Sequence, residues 1–260
     1  MKKNIIITGG NGQDAKILAR SIKKYQINFL IKKKDKFLIK NKNITYSKIN
    51  LLNYKDSFNH IRKKKPYAII HLASKNNSSN QKKNDYKIEY KNNLLMTKNL
   101  LNIIKNYDKK IKFIFAGSSL MFQKKNGIVN EKSKFKHSNF YSKYKIHSHM
   151  LLIKFKKKYN LNASTVILFN HDSIYRNKKF LLPRIVQYLK TKNLKKINEI
   201  NKENIYGDFS HAEDICSGIL RLVELRKMPD KLILSSSKLT SINKLIKYGI
   251  YFFKFKIKLQ

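Results

Sequence analysis

The chain has 260 residues, a hydrophobic fraction of 42% and a formal net charge of +43 at pH 7. Its one cysteine, Cys216, rules out an internal disulfide or a cysteine-based metal cluster, and no apolar run reaches the roughly 18 residues of a membrane span. The charge points first to a polyanion, but it rests on 52 lysines and only six arginines, dispersed among many Asn, Ile and Tyr. That joint bias matches A/T-rich codons. A nucleic-acid surface draws on arginine for bidentate contacts, so no specific nucleic acid is expected, although anionic small substrates would still be attracted. The apolar stretch Ile5–Ile7 is too short for a signal peptide. The cytoplasm is the expected compartment and a homo-oligomer the expected assembly.

Residues 4–8 form a β-branched run ending in glycines and predict a buried parallel strand. Helical spacing of Ile17, Leu18 and Ile22 predicts a helix over 13–24. A strand follows at Ile27–Ile31, a helix at Tyr54–Lys64 and a strand at Tyr67–Leu72. Leu94, Leu95, Leu100, Leu101, Ile103 and Ile104 give a helix over 89–107, followed by a strand at Lys112–Ala116. Further elements are expected as a helix at 141–158, a strand at 163–169, and helices at 181–191 and 211–226. Strands alternating with helices predict an α/β fold with helices on both faces of a parallel sheet.

Two motifs carry chemistry. Thr8-Gly9-Gly10-Asn11-Gly12-Gln13-Asp14-Ala15 joins the first strand to the first helix. There Gly9 permits a tight turn and Gly12 lets backbone approach a pyrophosphate at the helix N-terminus. Ala15 still allows close helix packing. The second strand ends in Lys32-Lys33-Lys34 rather than an acidic residue. Cations there suit the 2′-phosphate of NADP, whereas an NAD site places Asp or Glu on the ribose. In the second motif, Tyr141 and Lys145 are four apart and share a helix face. An ammonium beside a phenol lowers its pKa. Ser118, at the end of the strand 112–116, completes a Ser–Tyr–Lys set that moves a proton while a nicotinamide moves hydride. His71, His137, His147, His149 and His211 read as core or surface residues, and no metal site is expected, since His147 and His149 do not share a face and carboxylates are few.

On these residues the chain resembles the extended short-chain dehydrogenase/reductase family of nucleotide-sugar epimerases and dehydratases, most closely the GDP-mannose 4,6-dehydratases. Thr8–Asp14 is similar to that group's T-G-x-x-G-Q-D opening. Leu168-Phe169-Asn170-His171-Asp172-Ser173 resembles its L-F-N-H-E-S segment, and Phe209-Ser210-His211-Ala212-Glu213-Asp214 its W-G-H-A-x-D segment. Glu131 also falls where the family has a glutamate. The resemblance implies a Rossmann-type doubly wound sheet with a small C-terminal substrate lobe. The expected division is 1–165 for the NADP-binding core and 166–260 for the last sheet strands and a partial lobe. It implies that Gly9, Gly10, Asn11, Gly12, Gln13 and Asp14 cradle the cofactor, and that Asn50 and Leu51 lie near the adenine. Leu72, Ala73 and Ser74 would line the nicotinamide side, His171 and Arg176 would contact NADP, and Asn170 and Arg184 the nucleotide sugar.

Several positions depart from the family pattern. Leu120 stands where the dehydratases carry the glutamate that removes the C5 proton. Phe122-Gln123 replaces a Gly-rich turn, Asn50 an acidic adenine contact and Gly207 an arginine. The chain stops at Gln260 where relatives continue, and Tyr251–Lys256 reads as the middle of an element. Three functions follow: GDP-mannose 4,6-dehydration, 4-keto-sugar reduction or epimerisation, which needs only Ser118, Tyr141 and Lys145, or a non-catalytic nucleotide-binding role.

Overall fold

The structure is a computed structural model that describes residues 2–22, 24–32, 39, 41–74, 83–122 and 128–253. The chain runs β1 (Asn4–Thr8), α1 (Gln13–Ser21), β2 (Gln26–Ile31), β3 (Ile44–Lys48), α2 (Tyr54–Lys64) and β4 (Ala68–His71). It continues with α3 (Lys83–Tyr107), β5 (Lys112–Ala116), a 3₁₀ turn (Ser119–Met121), α4 (Phe140–Tyr159), β6 (Ala163–Leu168) and β7 (Asn170–Asp172). It ends with α5 (Leu181–Lys190), α6 (Leu194–Asn201), β8 (Tyr206–His211), α7 (Ala212–Glu224), β9 (Lys231–Leu234), β10 (Leu239–Ser241) and α8 (Ile242–Phe252).

Seven parallel strands make one sheet in the order β3-β2-β1-β4-β5-β6-β9. Ile5, Ile6 and Ile7 are fully buried, because helices cover both faces and a doubly covered strand shows no polar alternation. On one face α1 and α7 enclose a core that includes Ile7, Leu18, Ile219 and Cys216. On the other, α2, α3 and α4 pack around Ile6, Ile69, Leu100, Phe113 and Tyr144. Strand order reverses between β1 and β4, and the crevice above their C-terminal ends is where such sheets bind ligands. The chain is thus an α/β doubly wound fold of Rossmann type.

A second, smaller core joins α5, α6 and α8 through Ile185, Leu189, Ile197, Ile200, Ile242, Ile246 and Ile250. Beside it lies a three-stranded sheet, β10-β8-β7. This lobe was the least legible from pattern. β8 is half-buried and polar, and β7 and β10 have three residues each. β9 and the half-buried β3 were also unpredicted, as were α6 and α8. The helix expected over 89–107 begins earlier, at Lys83; its first turns are polar and Ile88 is exposed, so no apolar period marks them. The helix expected over 13–24 ends at Ser21, where Ile22 turns to extended backbone.

Helix α4 begins with a capping box: Asn139 accepts from the Ser142 N–H at 2.8 Å and Ser142 Oγ accepts from the Asn139 N–H at 3.1 Å. The reciprocal bonds fix the first turn, which carries Tyr141. Asn139→Ala should therefore cost about 0.5–2 kcal/mol, read as a lower urea midpoint at unchanged m-value.

Candidate active site

Gly9 follows β1 with φ +77°, and a Cβ there would stand 2.9 Å from the Ala73 nitrogen. Glycine is required by both conformation and space. At Gly10 a Cβ would lie 2.7 Å from Cβ of Phe29, so the turn packs directly on β2. Gly12 precedes α1 without any side-chain cap, which leaves helix N–H groups for an anion. Asn11 and Gly12 are exposed, whereas Gln13 is buried.

Beside this turn, a cavity of about 550 Å³ opens between the ends of β1, β2 and β4. Gly9, Leu30, Ile31, Leu51, Ala73 and Met96 are among its apolar lining, and Lys32, Asn50, Ser74, Asp85, Glu89, Asn92 and Asn93 supply its polar groups. Leu72 is half-buried just before Ala73. Lys32 is exposed at the rim, and the Asp85 carboxylate shares the lining. Lys33 and Lys34 lie outside the described residues, as does Gln123. The dimensions, apolar walls and uncapped helix fit the adenosine and pyrophosphate of a dinucleotide.

Tyr141 keeps part of its ring exposed, but its hydroxyl end is enclosed by protein. Burial pushes its pKa to about 12, against the Arg176 charge and the nearby Ser118 hydroxyl, both of which favour the phenolate. Ser118 Oγ already accepts from the Leu120 N–H at 3.3 Å, so its own proton is free to point towards Tyr141. Lys145 is buried and donates to the Ala116 carbonyl at 2.6 Å. Desolvation lowers its pKa to about 7, and its nitrogen lies 5.4 Å from the Tyr141 ring centre. Arg176 is a second cation that favours the Tyr141 phenolate, alongside the Lys145 expected from the spacing. The Ser74 hydroxyl is buried within reach of both the Tyr141 and the Tyr144 phenols, and Thr97 also approaches Tyr144.

The segment after β6 closes over α1. Gln13 Nε2 donates to the His171 carbonyl at 2.9 Å, and Ser173 Oγ donates to Gln13 Oε1 at 3.1 Å. His171 Nε2 meets Asp14 at 3.1 Å. Arg176 pairs with Asp172 at 3.2 Å and stacks its guanidinium 3.7 Å over the Phe180 ring. Asn170 is exposed at the start of β7, its amide crowding the place a Cβ on Gly207 would take. Arg184 is exposed in the first turn of α5. Leu120 is about a third exposed on the 3₁₀ turn. Glu131 instead accepts from the Ile233 N–H at 3.0 Å and so ties its loop to β9.

Pattern reading missed three roles. His71 is a buried link between Thr8 and Thr97. Tyr144 brings a second phenol beside the first. Asp172 partners Arg176, and their i,i+4 spacing was the available signal. Among the described residues, no three His, Cys, Asp or Glu side chains could share a metal ion, and no helix is long and apolar enough to cross a membrane.

Two predictions follow from this geometry. Gly9→Ala should cost about 1–3 kcal/mol through forced left-handed backbone and abolish dinucleotide binding in a calorimetric titration. Lys145 holds fewer protons folded than unfolded between pH of about 7 and 10.5. Its burial therefore penalises folding below that window and is relieved as pH rises through it. Urea unfolding of Lys145→Met against wild type should show the difference moving in favour of wild type over that window.

Comparison with known proteins agrees with the geometry. A family model described as GDP-mannose 4,6 dehydratase matches residues 6–259. The GDP-mannose 4,6 dehydratase of Cricetulus griseus is 24% identical over 267 residues, covering 94% of this chain and 71% of that protein. The match to GDP-mannose 4,6-dehydratase of Sinorhizobium fredii is 24% identical over 46% of this chain and spans 34% of that protein, about a third of its length. Among solved structures, dTDP-glucose 4,6-dehydratase of Bacillus anthracis in complex with NAD superposes with a TM-score of 0.83. It shares 17% identity, and 99% of this chain and 83% of that one are covered. With the family model matched from β1 to the C-terminal lobe, the chain belongs to the GDP-mannose 4,6 dehydratase family.

Proposed function

We propose that the protein modifies a nucleotide sugar, nominally GDP-mannose, through transient hydride transfer at C4, with NADP as cofactor. The observation that carries this reading is Ser74, which lines a dinucleotide-sized cavity at the sheet's switch point and reaches Tyr141, itself beside Ser118 and one helical turn from Lys145. NADP, when bound, supplies the hydride acceptor and donor. Lys32 at the cavity rim favours a 2′-phosphate, and Lys145, beside Tyr141, would hold the ribose on the nicotinamide side. Ser118 orients the sugar O4, and Tyr141 exchanges its proton. His171 and Arg176 stand on the cofactor side, and Asn170 and Arg184 on the sugar side. The core 1–165, the lobe residues 166–260, a cytoplasmic setting and a homo-oligomer complete the reading. The lysines attract the anionic substrate without reading nucleic acid.

Leu120 and Tyr141 favour a second reading for the later chemistry. An alkyl side chain cannot remove the C5 proton, so dehydration lacks its base. A phenol held at about 12 is protonated at neutral pH and is ready to give a proton to a 4-keto oxygen. Reduction of a 4-keto group at C4 uses that state directly.

Purified protein incubated with GDP-mannose and NADP⁺, with sugar products separated by mass, tests both. Oxidation at C4 should be found and elimination of water should be slow. Tyr141→Phe should keep NADP affinity and lose turnover by about 10²–10⁴-fold, and Leu120→Glu should raise dehydration. An active Tyr141→Phe variant would reduce the Tyr-x-x-x-Lys spacing to coincidence. Calorimetric titration should show NADP binding more tightly than NAD, and tighter NAD binding would overturn that choice.

A further inference from the structure

The imidazole of His171 lies between two groups that can only accept hydrogen bonds. Its Nδ1 is 2.7 Å from the Phe169 carbonyl oxygen, and its Nε2 is 3.1 and 3.3 Å from the two Asp14 carboxylate oxygens. A neutral ring has a single N–H. It would set a bare lone pair against either the carbonyl or the carboxylate. Only the doubly protonated ring satisfies both, and at 8% side-chain exposure water cannot intervene freely.

The surrounding charges decide whether that proton is kept. Burial opposes the cation. The hydrogen bond and charge of Asp14 on α1, with the Phe169 carbonyl, outweigh it, and Arg176 works against them, so the net direction is upward. Asp172, next in the chain, is held partly towards its neutral form by burial. From α7, Cys216 touches the Asp14 carbonyl, and burial raises its thiol well above neutrality, so it adds no charge.

We infer that His171 is a positioning residue, a protonated clasp that pins the 169–176 segment to the N-terminus of α1 and neutralises Asp14 beside the anion site. Asp14 is the second residue of α1, where uncapped N–H groups draw an anion. An uncompensated carboxylate there would repel a pyrophosphate. The same segment carries Arg176, a charge that favours the Tyr141 phenolate. Loss of the His171 proton therefore weakens anion binding and loosens the segment that tunes Tyr141. The clasp is a property of the protein alone. Its effect on dinucleotide affinity rests on the proposed cofactor reading.

The test has two arms. In the ligand-free protein, ¹⁵N-histidine NMR, assigned with His171→Asn, should show both His171 nitrogens protonated at neutral pH. The titration midpoint should lie above that of an ordinary histidine and fall in Asp14→Asn. A neutral His171 at neutral pH, or a midpoint unmoved in Asp14→Asn, overturns the clasp. In the second arm, NADPH fluorescence titration should show affinity weakening several-fold, up to about tenfold, as pH rises through the His171 midpoint. That dependence should vanish in His171→Asn, with folding checked by circular dichroism. Should His171→Asn not fold, the isosteric Asp14→Asn variant serves, and its affinity should no longer follow the His171 titration. NADPH binding whose pH dependence ignores His171 overturns the coupling. A protonated His171 in a protein that binds no NADPH at any pH leaves the clasp standing and removes the cofactor reading.

Discussion

One hydroxyl locks the C-terminal ends of β1 and β4 together. Thr8 Oγ1 accepts from the Ala73 N–H at 3.0 Å and so donates its own proton to His71 Nδ1 at 2.8 Å. The other ring nitrogen of His71 then donates to Thr97 on α3, which Ser148 on α4 also reaches. Burial, with the Lys145 charge, holds the His71 pKa to about 3, so the ring stays neutral with a fixed tautomer. The chain of bonds ties two strands and two helices at the switch point. It sets the distance across which Gly9 faces Ala73, and it places Ser74 beside Tyr141.

From that lock the rest of the site follows with little freedom. The glycine turn must pass against the β4 end, which only glycine at Gly9 allows. Helix α4, held by its Asn139 cap, brings Tyr141 and Lys145 over the end of β5. The segment beyond β6 folds back on α1 through Gln13, Asp14 and His171. The site is thus made from five strand ends, those of β1, β2, β4, β5 and β6, which is how one parallel sheet assembles residues far apart in sequence. The lysines add to the field around it and contribute few fixed contacts to it. An exception is Lys145, whose buried nitrogen donates to the Ala116 carbonyl at the end of β5.

The sheet was legible in the sequence because its strands are continuous apolar runs. Ile5–Ile7, Ala68–Ile70 and Phe113–Phe115 are buried on both faces, and the glycine turn marks where the first one ends. The lobe was less legible because β7, β8 and β10 are short, half-exposed and polar, so no period appears. At the site, spacing alone placed Tyr141 and Lys145 on one helix. It could not show that Lys145 turns to the Ala116 carbonyl, since depth of burial and direction depend on strand β5. Nor could it show Arg176 near Tyr141 or Asp14 against His171, pairs set by tertiary approach over many residues. The opposite roles of Leu120 and Glu131 had the same cause: one sits on the turn beside Ser118, and the other faces β9.

The central claim is that this cluster moves a hydride at C4 of a nucleotide sugar. GDP-mannose deuterated at C4, incubated with the protein and NADP⁺ and analysed by NMR and mass spectrometry, measures that transfer itself. The account predicts that deuterium leaves C4 and is found on the nicotinamide ring, elsewhere on the sugar, or back at C4 with inverted configuration. Deuterium that stays at C4 with its configuration unchanged in a protein saturated with both ligands would contradict it.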